Sequence, residues 1–154
     1  MTAKQIMCTL RLMTSPCTFC RILSQELQAS RLYEDEYVLA FLDVHPINEG
    51  HSLVIPKAHT ASLTDLTDVD VQHMARVAKL VAAHLKRILP CEAISLSLAD
   101  GAAAGQEVFH AHMHVIPRYA GDGFGWKFPP HYGALAERTK LEAIALRVRE
   151  SLGT

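Results

Sequence analysis

The chain has 154 residues and a formal net charge of −1 at pH 7. That length supports one domain around one core, and the near-neutral balance excludes a global basic field that would draw nucleic acid or a membrane surface. Hydrophobic residues make up 49% and charged residues 20%, an ordinary globular balance, and no window approaches the ~20 unbroken apolar residues of a membrane span.

Residues 1 to 14 read as an N-terminal arm. Its apolar character is interrupted by Thr2, Lys4, Gln5, Thr9 and Arg11, so it lacks the apolar core of a secretory signal and a cytoplasmic protein is expected. Cys17 to Leu27 reads as a turn and short helix, opened by Ser15-Pro16. Leu32 to Glu34 and Tyr37 to Leu42 read as two short strands about a Glu-Asp-Glu turn. The second, YVLAFLD, is nearly all apolar and belongs in a buried sheet. His45-Pro46 and Asn48-Glu49-Gly50 mark a loop, and His51 to Ile55 is a third strand stopped by Pro56.

Met74, Val77, Ala78, Val81, Leu85 and Ile88 recur at three-to-four spacing, one stripe of a long helix. Asp65 and Asp68 stand where helix-start acids are favoured, and Pro90 ends it. Ala93 to Leu98 alternates as a strand. A Gly- and Ala-rich loop, Asp100 to Gly105, leads to a strand from Val108 to Ile116. GDGFGW then precedes a helix at roughly Ala134 to Leu152. The order predicts an α+β fold: a mostly antiparallel sheet with helices packed on one face.

The strand FHAHMHVIPRY carries His110, His112 and His114 at every second position. Alternate residues of a strand share a face, so the three imidazoles project together, while Phe109, Ala111, Met113 and Val115 point to the core. Neighbouring histidines then lie ~6.6 Å apart at Cα and the outer pair ~13 Å. One metal at ~2 Å from each nitrogen takes an adjacent pair but not all three. The three therefore divide roles among metal binding, covalent chemistry and proton transfer. The preceding loop supplies backbone N–H groups around Gly105, and Gln106 adds an amide, the donors a phosphate site needs. Separately, Cys17 and Cys20 form a C-x-x-C pair, a spacing used for zinc or redox work. With no signal peptide read, disulfides are not expected.

AGQEVFHAHMHVIPR resembles the motif of the histidine triad (HIT) family, His-φ-His-φ-His-φ-φ with φ apolar. His110-Ala-His112-Met-His114-Val-Ile matches every position. YEDEYVLAFLDVHPINEGHSLVIPKAH resembles the upstream half of that family, and CTFCRI its zinc-bearing bacterial branch. The resemblance runs from about Cys17 to Tyr119 and implies a HIT-like α+β domain over residues 15 to 154. Such a domain has a five-stranded sheet, one long helix and a C-terminal helix, with an extension from about residue 120.

The resemblance also implies nucleotide hydrolysis or transfer at the α-phosphate. His112 would be the nucleophile, His114 would bind phosphate and help the leaving group, and His110 would orient the site. Gln106 and the amides around Gly105 would hold the phosphate. Phe19, Ile22, Phe41 and Val44 would form the slot for a purine base, with Asp43 on the ribose hydroxyls. A structural zinc would be held by Cys17, Cys20, His59 and His110. His51 would be buried and hydrogen-bonded behind the triad. Homodimers are common in the family. Ala99 and Glu107 depart from its Asn and Ser/Thr, which keeps a nucleotide-binding regulator with little turnover as the alternative. A hydrolase built on a catalytic metal at an H-x-H pair is the third reading. His45, His73, His84 and His131 read as surface or helix-face residues.

Overall fold

The apolar stretch YVLAFLD becomes an interior strand of a sheet covered on both sides, and its alternation sorts two cores. The computed structural model describes residues 17–153; the expected N-terminal arm and Ser15-Pro16 lie outside them. In chain order the elements are α1 (Thr18–Leu23), β1 (Arg31–Glu34), β2 (Val38–Leu42), β3 (Ser52–Pro56), α2 (Asp68–Ile88), β4 (Ala93–Ser97), β5 (Met113–Arg118) and α3 (Arg138–Leu152). The strands form one antiparallel sheet in the order β1-β2-β3-β5-β4.

On one face Val38 and Ala40 of β2, Val54 of β3 and Val115 of β5 meet the α2 stripe of Met74, Val77, Ala78, Val81 and Leu85. On the other, Leu39, Phe41, Leu53 and Ile55 meet Phe19 and Ile22 of α1. The helices therefore cover both faces of the sheet, which corrects the one-face expectation. A strand apolar at consecutive positions has two faces to bury, and the short helix α1 covers the second. Each fully buried aliphatic side chain contributes about 1.5–3 kcal/mol.

Helix α2 starts at Asp68 because Thr67 caps it: its hydroxyl accepts from the Asp70 amide at 3.1 Å and donates to the Asp70 carboxylate at 2.7 Å. Asp65 belongs to a preceding 3-10 turn, Leu63–Asp65. Lys86 and Arg87 in the last turn suit the helix dipole.

The histidine strand is shorter than its alternation predicts. β5 begins at Met113, so His110 and His112 lie in an unpaired segment before it. The ladder with β3 covers Ser52 to Val54. Two residues further along β3, Pro56 has no N–H to continue it. The Ala111 amide instead donates to Thr60 O at 2.7 Å, and the His110 amide to Val108 O at 2.8 Å. Phe109, expected in the core, is consequently 55% exposed, whereas Ala111 and Val115 are buried.

The chain divides into two compact units, one ending at Gly123 and the other starting at Phe124. In the second, turns at Pro129–Tyr132 and His131–Ala134 delay the helix, so α3 starts at Arg138 rather than near Ala134. Gly153, at φ 74°, caps its C-terminus.

Candidate functional site

The unpaired segment and the start of β5 bring three imidazoles together, each fixed by a different neighbour. His112 Nδ1 donates to the His110 carbonyl at 2.8 Å. A neutral imidazole carries one proton, so Nε2 is left with its lone pair. The ring lies against Phe19, with centroids 5.2 Å apart, and against His114 at 4.8 Å. Burial holds its pKa below the ordinary 6.5, so the neutral form persists.

His114 has the opposite arrangement. The Ile47 amide donates to His51 Nδ1 at 3.2 Å, and His51 Nε2 lies 2.9 Å from His114 Nδ1. His51 must then carry its proton on Nε2 and donate it to His114, leaving the His114 proton on Nε2. His112 thus offers a lone pair and its neighbour a donor. Burial, followed by the neighbouring His112 and His51, lowers the His114 pKa to about 4. Burial lowers that of His51 as well. As expected, His51 is buried, at 2% exposure, and hydrogen-bonded.

His110 is fully buried and turned away. Its Nε2 donates to Pro56 O at 2.9 Å, which leaves Nδ1 unprotonated toward the cysteines. Cys17 Sγ is 3.6 Å and Cys20 Sγ 3.8 Å from that nitrogen, and His59 Nδ1 is 3.3 Å from Cys20 Sγ. Tetrahedral zinc, at ~2.3 Å from sulfur and ~2.0–2.1 Å from nitrogen, needs ligand separations of roughly 3.5 Å. The four ligand atoms lie within 4.8 Å of one another, so this set fits a closed zinc site. A hydrogen bond from Cys20 draws the Cys17 pKa down to about 3, favouring the thiolate form that a zinc site requires.

Asp43, His51 and His114 also cluster. Their closeness follows from the imidazole–imidazole hydrogen bond, and the Ile47 amide occupies the second nitrogen of His51. Asp43 Oδ1 accepts from the His45 amide at 2.9 Å, and Oδ2 lies 3.6 Å from His51 Nδ1.

The Gly-rich loop is ordered by its own groups. Gly101 and Gly105 take φ values of 88° and 92°, open to glycine alone at little cost. The Gly105 amide donates to Ala102 O and the Gln106 amide to Gly101 O. The Gln106 side chain accepts from the Gly101 amide and donates to Ala61 O and Val108 O at 2.8–3.1 Å. Both its amide hydrogens are therefore engaged, and Gln106 ties the loop to the segment before the triad rather than presenting a free donor. Asp100 turns to Ser62 at 3.2 Å. Glu107 is exposed, and its amide has no acceptor among the described residues.

The structure does not bring the residues of the expected base slot to one cleft. Phe19, Ile22 and Phe41 are buried together beneath the imidazoles. Val44 is 78% exposed and lines an open cleft of about 650 Å³ with Leu27, Ala29, Ser30 and Arg31.

A family model described as the HIT domain matches residues 24–121. An uncharacterized HIT-like protein of Borreliella burgdorferi is 49% identical over 113 residues, covering 72% of this chain and 81% of the relative. The chain belongs to the HIT family. A zinc-bound histidine triad protein from Mycobacterium smegmatis superposes with TM-score 0.68 and 37% identity, over 88% of this chain and 96% of that one. A histidine triad nucleotide-binding protein from Candida albicans superposes with TM-score 0.80 and 31% identity, covering 89% and 97%.

Read as a HIT domain, the chain sets His112 beside His114 and gathers Cys17, Cys20, His59 and His110 into one cluster. Sequence reasoning did not name the backbone groups that orient the rings: the acceptors Pro56 O and His110 O and the donor Ile47 amide. Backbone groups leave no trace in residue identity. It also missed Leu53, which alternates with Val54 on β3 and could have been placed with Phe41. His73 is more than a helix-face residue. Its ring lies 4.1 Å from that of Tyr37, and its Nδ1 is 3.3 Å from the Asp35 carboxylate.

Proposed function

We propose that this HIT protein hydrolyses nucleotides at the α-phosphate through a covalent nucleotidyl-His112, acting on adenosine phosphoramidates or dinucleoside polyphosphates. The observation that carries it is the His112 Nδ1–H bound to the His110 carbonyl, which leaves Nε2 as a nucleophile. The Nε2 lone pair attacks the α-phosphorus. The bond from phosphorus to the leaving nitrogen or oxygen breaks, and the leaving group departs with its electron pair and takes a proton from solvent. His114 Nε2–H meets the developing charge. Water then attacks phosphorus, the phosphorus–nitrogen bond returns its pair to His112, and the water proton passes to solvent. The net products are a nucleoside monophosphate and the protonated leaving group.

Gly105 and Gln106 hold the loop, and the Glu107 amide supplies a donor to the phosphate. Asp43 takes the ribose hydroxyls. The purine lies in the cleft lined by Val44, Leu27 and Ala29, the last two packed against the buried Phe19, Ile22 and Phe41. Cys17, Cys20, His59 and His110 hold a structural zinc. It supplies no chemistry to phosphorus but fixes α1 and its Phe19 beside His112. The exposed edge of β4 serves a homodimer, and free thiols suit a reducing cytoplasm.

The test is to mix the protein with an adenosine phosphoramidate, quench in alkaline denaturant and weigh the protein. A nucleotidyl adduct is expected, absent from His112→Ala together with turnover. Full turnover in that variant refutes the mechanism. Turnover-free binding by the unaltered protein would favour the regulator that Ala99 and Glu107 suggest.

A further inference from the structure

We propose that Asn48, Asp122 and Arg118 form a clamp that sets the tautomers of His51 and His114, acting as positioning residues for the reaction. The loop from Asp43 to His51 is closed on itself: the Asp43 amide donates to His51 O at 2.9 Å and the His51 amide to Asn48 O at 3.0 Å. Within it, the bond that decides the His51 tautomer is the Ile47 amide to Nδ1, at 3.2 Å. A peptide N–H can only orient a ring if its own loop is held.

Asn48, the next residue, holds it. Its side-chain nitrogen donates to Pro117 O at 2.8 Å and to Asp122 Oδ2 at 2.9 Å. Spanning a carbonyl and a carboxylate needs two donors on one short side chain, which an amide provides and a carboxylate does not. Asp122, whose side chain is 6% exposed, is gripped in turn by Arg118 Nε at 2.6 Å and Nη2 at 2.7 Å. The Tyr119 amide adds a bond at 3.2 Å, and Arg118 Nη1 reaches Ser95 Oγ at 3.0 Å. The clamp therefore runs from β4 through the end of β5 to the loop. On the other side, Gly50 backs against Leu85 and Leu89 of the α2 end, so closely that a Cβ there would meet them at 2.9 and 2.6 Å.

The clamp works against a competitor. Asp43 Oδ2 lies 3.6 Å from His51 Nδ1 and favours a proton on that nitrogen. With the loop released, His51 would take the Nδ1–H form and turn its Nε2 lone pair to His114. His114 would then place its proton on Nδ1 and face the substrate with a lone pair. The phosphate oxygens and the leaving group would lose their donor while His112 stayed intact.

The kinetic arm of the test rests on the proposed hydrolysis; the spectroscopic arm does not. Zinc-loaded protein labelled with ¹⁵N-histidine, read by long-range ¹H–¹⁵N correlation, is expected to show His51 and His114 protonated on Nε2. In Asn48→Ala both should populate the Nδ1–H form, and kcat for adenosine phosphoramidate should fall about tenfold with KM within about twofold. Arg118→Lys keeps the charge but loses the two-pronged grip. It should give a smaller change of both readouts and serves if Asn48→Ala does not fold. The proposal is overturned if these variants keep both tautomers. It is equally overturned if kcat falls without a tautomer change, since that loss would be general loosening. An unaltered protein without turnover would sink the hydrolysis and leave the tautomer arm to decide the clamp.

Discussion

Acidification separates this site from a set of solvent-exposed histidines. Burial first, then His112 and His51, bring His114 to about 4 from 6.5, and burial lowers His112 as well. At pH 5.5 an imidazole of ordinary pKa would be only about 10% neutral, whereas one near 4 stays about 97% neutral. Protonation of the nucleophile His112 would cost an imidazole of ordinary pKa about tenfold in kcat/KM between pH 7.5 and 5.5; because burial lowers the His112 pKa, the loss at this site should be smaller. The Cys17 thiol does not confuse the reading in this range, because its pKa is held near 3. The assay is the pH dependence of kcat/KM for an adenosine phosphoramidate, corrected for spontaneous hydrolysis, with zinc content checked at each pH. An acidic limb centred at 6.5 or above would refute the argument that burial keeps the two rings neutral.

Stability should change over the same window with a definite sign. The folded pKa of His114 lies near 4 against 6.5 unfolded, so the unfolded chain binds more protons between these values and urea midpoints should fall as pH drops from 6.5 toward 4. Gly50→Ala should cost about 2 kcal/mol in urea unfolding, because the position combines φ +83° with Leu89 and Leu85 atoms inside contact distance; a cost under about 0.5 kcal/mol would mean the leucines yield freely. Protein purified without chelator should contain about one zinc per chain by elemental analysis, reduced in Cys20→Ser; metal-free protein would remove the four-ligand assignment.

Long-range order was legible where side-chain chemistry alone dictates it. The α2 stripe and the all-apolar β2 could only be buried, and each was placed within a few residues. The histidine pattern was legible as a cluster but not as a strand. Alternation records which way side chains point, whereas a strand also needs a partner with amides to offer. Pro56 removes that partner two residues past the last paired position. Phe109 then leaves the core because the chain at 107–110 is no longer extended. Gln106 shows the same gap between residue type and use. An amide beside a glycine turn reads as a phosphate donor, but its hydrogens go to Ala61 O and Val108 O. The Asn48–Asp122 pair is 74 residues apart, and no local pattern announces it.

The same side chain in one short motif is held in three different ways because three different partners fix where its proton sits. Pro56 O takes the proton of His110 at Nε2 and frees Nδ1 for the cysteines. The His110 carbonyl takes that of His112 at Nδ1 and frees Nε2. The Ile47 amide works through His51, and His114 keeps its proton at Nε2. Two of these partners depend on the ladder ending early. Had β5 continued through His110, the carbonyl that orients His112 would be committed to a strand neighbour, and Pro56 O would be paired with backbone instead of an imidazole. The broken alternation that the sequence conceals is thus what lets three identical imidazoles present three different faces: Nδ1 of His110 to the cysteines, a free Nε2 lone pair on His112 and an Nε2–H on His114. Restoring regular pairing there would cost the site its division of labour while leaving every histidine in place.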